Sequence, residues 1–223
     1  ILAGFPPYLV LIISFISGLL AGLVTGLLHT LLGIPDILAG ILTQIALYSV
    51  NLNIMGKANQ AVSVDRFDLV VSLRYISQAI VVGAIFLIVI IALLYWFFGT
   101  EQGFTIRATG CNQEMARAQG ISTNKAKVVG LALGNGLGGL SGALVAQYSG
   151  NADVNMGRGA IVIGLAAVII GEVIGNAVFR KRMNFALKLF FAAMGAVIYY
   201  LVITFVLWIG LSSQNLKLFS AIV

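Results

Sequence analysis

Long apolar runs separated by short polar breaks dominate this chain, and the run lengths set the first expectation. Tyr8–Leu32, Ile37–Met55, Tyr75–Phe98, Lys127–Tyr148, Ala160–Ala177 and Phe185–Leu211 each reach or approach the length of a membrane span. A helix needs about 20 residues to cross hydrocarbon. A seventh run starts near Leu216 and stops at Val223. The pattern predicts an all-α polytopic membrane protein with about six to seven transmembrane or half-spanning helices. It forms one transmembrane domain over residues 1–223, without a linker or low-complexity tract. The chain begins without Met and stops inside an apolar run, as expected of a segment of a longer protein.

The polar breaks carry more information than the spans. Residues 101–127 form a polar, mostly basic loop between two apolar runs, EQGFTIRATGCNQEMARAQGISTNKAK. The loop predicts a short helix of its own at Gln113–Gln119. Asn112 can cap its first amides, Glu114 sits where the helix dipole favours negative charge, and Gly120 is the expected left-handed terminator. So short a helix is not stable alone, which points to a docking element.

Two runs repeat small residues every fourth position: Ser14, Gly18, Gly22 and Gly26 in the first, and Gly130, Gly134, Gly138, Gly142 and Ala146 in the fourth. Small residues at this spacing let helix backbones approach closely in lipid. Because four residues overshoot one turn, the stripes drift and favour crossed helices. The second and fifth runs are short. Such runs mark either half-helices lining a polar path or ordinary short helices.

Composition agrees with the span pattern: 60% of residues are hydrophobic and 9% charged, with a mean hydropathy of +1.06. The formal charge of +6 therefore reports topology and not nucleic-acid binding. With the 101–127 loop placed inside, Arg107, Arg117, Lys125, Lys127, Arg180, Lys181, Arg182 and Lys188 fall on the cytoplasmic side. Lys57, Arg66, Arg74, Arg158 and Lys217 fall outside, so eight of the 13 basic residues support that orientation. The single cysteine, Cys111, excludes an internal disulfide and reads as an ordinary loop thiol.

Catalytic chemistry is missing from the sequence. The one histidine, His29, has no cysteine or carboxylate at metal-ligand spacing, and no GxxxxGK[ST] phosphate loop is present. Glu172 is the acidic residue embedded in an apolar run, IVIGLAAVIIGEVIG. It reads either as an ion or proton site or as a group reaching the interface or a partner such as Lys188. Tyr48, Asn51, Asn135, Gln147 and Asp153 are the candidate lining of a solute pathway. Interhelical hydrogen bonding is the competing role for the intramembrane residues of that set.

The loop and the helix after it form a recognisable unit. Arg107, Ala108, Gly110, Asn112, Ala116, Arg117, Gly120 and Ile121 follow the form R-A-x-G-x-N-x-x-x-A-R-x-x-G-I, and the patch Gly138-Gly139-Leu140-Ser141-Gly142 comes next. This run resembles the permease subunits of ABC importers of the branched-chain amino acid and simple-sugar type. Ala152-Asp153 and the VIGLAAVIIGEVI stretch look most like the tryptophan/tyrosine transport permeases. The resemblance is strong over roughly residues 100–180 and weaker elsewhere. It implies that Asn112, Gln113, Glu114, Met115, Ala116, Arg117 and Gly120 belong to a coupling helix that docks on a separate cytoplasmic ATPase subunit. ATP and Mg would be bound by that partner and no cofactor by this chain. It further implies a second permease copy, as a homodimer or a pseudo-symmetric heterodimer, and an extracytoplasmic substrate-binding protein. The setting would be the bilayer of a bacterial cell (inner/plasma) membrane and the cargo a small solute, aromatic or branched-chain amino acids first. The family's N-terminal helix and most of its final helix are expected to lie outside this chain, and Cys111 departs from the small polar or acidic residue common in relatives. An ion-gradient-driven transporter or channel using Glu172, and a non-transporting scaffold, are the other classes compatible with the residues.

Overall fold

In the computed structural model, residues 1, 4–62, 69–157, 160–179 and 184–208 are described, the side chains of 160–162 and 206–207 excepted. These residues group into two compact units, Ile1–Met156 and Gly157–Val223.

The first unit is built on one tight helix pair. Helix α1 spans Pro7–Leu32, and α2 spans Asp36–Met55. Between them Gly33 adopts φ 67°, and Pro35 and Asp36 open the second helix. A left-handed glycine followed by proline stops one helix and starts another. Helix α3 (Ile76–Phe98) follows a single 3-10 turn at Leu73–Tyr75. Two short helices come next, α4 (Glu101–Cys111) and α5 (Gln113–Ala118), before the long α6 (Thr123–Ser149).

Helices α1 and α6 run antiparallel. A Cβ on Gly18 would fall 2.9 Å from the Gly136 Cα, one on Gly22 2.7 Å from the Ala132 Cα, and one on Gly26 2.9 Å from the Val128 Cα. The α1 stripe of Gly18, Gly22 and Gly26 thus meets the backbone of α6. The facing surface of α6 is not the expected stripe. Gly134, Gly138 and Gly142 have nothing within 4 Å of a Cβ, whereas Gly136 meets Leu19 and Phe15 at 3.0 Å and Gly139 meets Ser14. Helix α6 offers glycine on more than one face, and spacing within one helix cannot say which face the partner takes.

The second unit contains α7 (Ala160–Phe179) and α8 (Phe185–Trp208), also antiparallel. They cross where Gly195 lies on Gly171, a Cβ on Gly195 falling 2.6 Å from the Gly171 nitrogen. Both short runs, α2 and α7, are uninterrupted helices of 20 residues, so the ordinary-helix reading holds over the half-helix one.

Among the described residues, five helices are long and apolar enough to cross a membrane, joined by the equally apolar α7. Helix α3 buries only Ala79 and exposes its Ile, Val and Leu side chains all round, as a helix solvated by lipid does. This is a multi-pass α-helical membrane protein. The expected seventh run near Leu216 lies outside the described residues.

The loop expected at 101–127 is mostly helical, because α4 fills its first half. A small ribbon was also unforeseen. Strands β1 (Asn59–Ala61) and β2 (Asn151–Asp153) pair antiparallel, with Gln60 opposite Ala152. The pairing, extended by Val62 N–H donating to the Gly150 carbonyl at 2.8 Å, gathers the 56–62 and 150–154 segments at one end of the first unit. The α1–α2 turn, α5 and the start of α6 lie at the other. This is the alternation expected from charge within that unit. Arg180, Lys181 and Arg182 fall outside the described residues.

Candidate functional site: a braced short helix

The end of the first unit carrying α4, α5 and the start of α6 is built residue by residue from local signals. Thr100 caps α4, its hydroxyl accepting from Gly103 N–H at 3.4 Å while donating to the Phe97 carbonyl at 2.6 Å. Gly103 is buried against the end of α3, and a Cβ there would lie 2.8 Å from the Phe98 carbonyl carbon. Only glycine permits so sharp a corner.

Asn112 then does two things. Its extended backbone, φ −156° and ψ 107°, ends α4. Its side-chain oxygen accepts from Met115 N–H at 2.9 Å and so caps α5. At the far end Gly120 takes φ +79°. Gly120 N–H donates to the Arg117 carbonyl at 2.9 Å and Ile121 N–H to the Ala116 carbonyl at 3.0 Å. That bond pair is the Schellman arrangement, which satisfies the carbonyls at a helix end.

Six residues are too few for a helix to hold itself, so α5 is held from outside. Ala116 is 3% exposed and faces this chain, which removes it from the surface expected to meet a partner. Arg117 Nε donates to the buried Thr123 hydroxyl at 3.0 Å, tying α5 to the first turn of α6. Gln113 is half-buried, while Glu114, Met115 and Ala118 point outward. Met115 is 63% exposed, a large apolar side chain presented on a rigid polar hairpin. Cys111 is exposed in the last turn of α4 and not in a loop.

The model of the family "Branched-chain amino acid transport system / permease component" matches residues 1–223. The chain belongs to that family. It is 37% identical over 220 residues to the tyrosine transport system permease protein of Clostridioides difficile (strain R20291), covering 99% of this chain and 72% of that protein. It is 33% identical to an uncharacterized protein of Rickettsia prowazekii (strain Madrid E), covering 96% and 75%. A nucleoside ABC transporter permease of Lactococcus lactis subsp. cremoris (strain MG1363) is 38% identical over 90 residues, 39% of this chain and 28% of that protein. No solved structure matches. The chain is thus the permease component of an ABC transport system.

The residues expected to line a solute path do not converge in this permease. Tyr48 and Asn51 are exposed on the C-terminal half of α2. Asn135 lies on α6 beside Gly22 and donates to its own Leu131 carbonyl at 2.9 Å. Gln147 is a brace. It is 2% exposed, its Oε1 accepts from Val70 N–H at 3.1 Å and its Nε2 donates to the Pro7 carbonyl at 3.3 Å. Each end of the amide thus holds one backbone group. Asp153, in β2, accepts from Asn155 N–H at 2.6 Å and so folds its own turn, with Asn59 Nδ2 3.5 Å from its other oxygen. Glu172 is exposed on α7 and makes no ion pair with Lys188 among the described residues.

Two features escaped the sequence reading. A groove of about 520 Å³ runs between α1 and α2, lined chiefly by Leu20, Val24, Leu42 and Leu47 with Ser17 and Thr43 as its polar points. Below it the Thr25 hydroxyl donates to the Thr43 hydroxyl at 2.9 Å. The second feature is a carboxylate beside the lone imidazole: His29 Nδ1 lies 2.6 Å from Asp36 Oδ1. The two are seven residues apart, one on each side of the Gly33–Pro35 turn, and a scan for ligand spacing passes over a pair that only the turn brings together.

Proposed function

We propose that this chain is the transmembrane subunit of a bacterial ABC importer for a small solute, an aromatic or branched-chain amino acid, with α5 as the helix that receives the stroke of a separate ATPase. The observation that carries the reading is the construction of α5. A six-residue helix is capped by Asn112, closed by Gly120 and tied through Arg117 to α6, yet it presents Glu114 and Met115 outward. A helix braced on one side and bare on the other transmits a push to α6 without bending first.

In this mechanism the α5 end faces the cytoplasm, as the basic residues favour. Two ATPase subunits bind ATP and Mg and close together, and each docked α5 carries that closure into α6 and, through the glycine contact, into α1. Two permease copies then exchange inward- and outward-open states, nucleotide binding one state more tightly than the other. The β1–β2 ribbon and the polar segments around it form the outer surface on which a solute-binding protein docks. An aromatic amino acid is the preferred cargo, supported by the likeness to the tyrosine permease.

The test is copurification with the ATPase encoded beside it and measurement of solute-stimulated ATP hydrolysis in proteoliposomes. Stimulation by tyrosine or tryptophan supports the reading, and the absence of any bound ATPase refutes it. A second reading, an ion-driven transporter using the exposed Glu172, predicts uptake that ignores ATP and collapses with the proton or sodium gradient.

A further inference from the structure

The only histidine of the chain stands where three segments meet. On α1, His29 Nδ1 lies 2.6 Å from Asp36 Oδ1 at the start of α2 and 2.8 Å from the Ile34 carbonyl oxygen. Its other nitrogen, Nε2, lies 3.1 Å from Lys127 Nζ on α6. A lysine ammonium donates and never accepts. Nε2 must therefore offer a lone pair, and the ring proton sits on Nδ1, donating to Asp36 with the Ile34 carbonyl beside it. In this neutral form each of the three side chains has a partner.

We propose that Lys127, His29 and Asp36 form a proton-operated latch, which fastens the α1–α2 turn to the base of α6 when His29 is neutral and releases Lys127 when Nε2 is protonated. Protonation replaces an accepted hydrogen bond by two cationic donors face to face. Asp36 on the opposite side gains from the same change, since a carboxylate pairs better with an imidazolium. The lysine leaves and the aspartate stays.

The surroundings leave the imidazole as the switching group. Asp36 from α2 and Lys127 from α6 are the charged groups that meet it. Lys125 is exposed on α6, and Arg117 of α5 is held on Thr123. His29 is 18% and Asp36 69% exposed, so water delivers the proton without a buried path. Imidazoles change charge within about pH 5–8, where no other unperturbed side chain does. The latch lies one helical turn from Thr123, the residue that ties α5 to α6, so its opening loosens the same stretch of α6. The inference rests on this geometry alone and holds whether or not α5 docks on an ATPase.

The full chain in lipid nanodiscs, with its histidine ¹⁵N-labelled, gives one imidazole to observe. We expect the Nδ1–H tautomer at pH 8. With Cys111→Ser removing the native thiol, nitroxide labels on cysteines at the exposed Leu32 and Lys125 should move apart as the labelled imidazole gains its second proton, and hold a constant separation when His29→Asn is added. An Nε2–H tautomer at pH 8 overturns the geometry. A label separation that stays constant while the ring becomes protonated, in the chain that keeps His29, overturns the latch.

Discussion

Replacing Gly18 and Gly22 together by alanine attacks the α1–α6 contact at its tightest point. At Gly22 the new Cβ would lie 2.7 Å from the Ala132 Cα and 2.8 Å from the Asn135 Cβ, against the 3.4–4 Å of ordinary contact. At Gly18 it would lie 2.9 Å from the Gly136 Cα. The obstructing atoms are backbone or bonded directly to it, so no rotamer change relieves them. The Asn135 and Leu131 carbonyl oxygens lie closer still, so the helices must separate by at least about 0.7 Å, and a gap of that size already forfeits about a quarter to a half of the dispersion energy along the seam. Overpacking of this kind costs about 1–3 kcal/mol per site, and the better helix propensity of alanine returns up to about 1. Over the two sites that is about 2–6 kcal/mol lost against up to about 2 regained, so the double variant should lose about 3 kcal/mol as the central expectation. Its control is Gly134→Ala with Gly138→Ala, where nothing lies within 4 Å and propensity alone should hold or raise stability. Unfolding in mixed micelles, followed by tryptophan fluorescence, reads both. Equal destabilisation of the two pairs would refute the register, because it would place the sequence-periodic stripe of α6 at an interface equivalent to the one with α1.

Three further outcomes follow from the same geometry. Asn112→Ala removes the cap of α5 and should cost about 1 kcal/mol locally, read as faster proteolysis within 112–122 with membrane insertion unchanged. Gln147→Leu leaves Val70 N–H and the Pro7 carbonyl without their partner and should cost about 1–3 kcal/mol; hydrogen exchange at Val70 should accelerate while that at mid-α1 amides does not. Glu114→Ala should weaken solute-stimulated ATP hydrolysis without changing expression or insertion, and unchanged stimulation would count against docking through α5.

The spans were legible because hydrocarbon imposes one strong rule on length and polarity, and their ends agree with the helices to within a few residues. The cap and terminator of α5 were legible for a similar reason: Asn112 and Gly120 act on backbone a few residues away, so the signal is local. Partner choice is not local. Gly134, Gly138 and Gly142 form as regular a series as Gly18, Gly22 and Gly26, yet Gly136 and Gly139 meet α1. The ribbon was hidden because Asn59-Gln60-Ala61 and Asn151-Ala152-Asp153 carry no strand-forming residues, and their pairing depends on α6 ending near residues 58–62. Helix α4 was missed because its polar sequence reads as a loop until Thr100 and Gly103 are seen to turn it against α3. The backbone bonds of Gln147 were not legible, because a buried amide has the same signature in sequence whether it binds solute or backbone.

Cross-linking at Met115 tests the central claim most directly. With Cys111→Ser removing the native thiol and Met115→Cys placed on the exposed face of α5, a short bifunctional thiol reagent should join the permease to its ATPase. The yield should depend on nucleotide and vanish when the cysteine is moved to the buried Ala116. An ATPase that copurifies and hydrolyses ATP in response to solute, yet never cross-links through position 115, would contradict the assignment of α5.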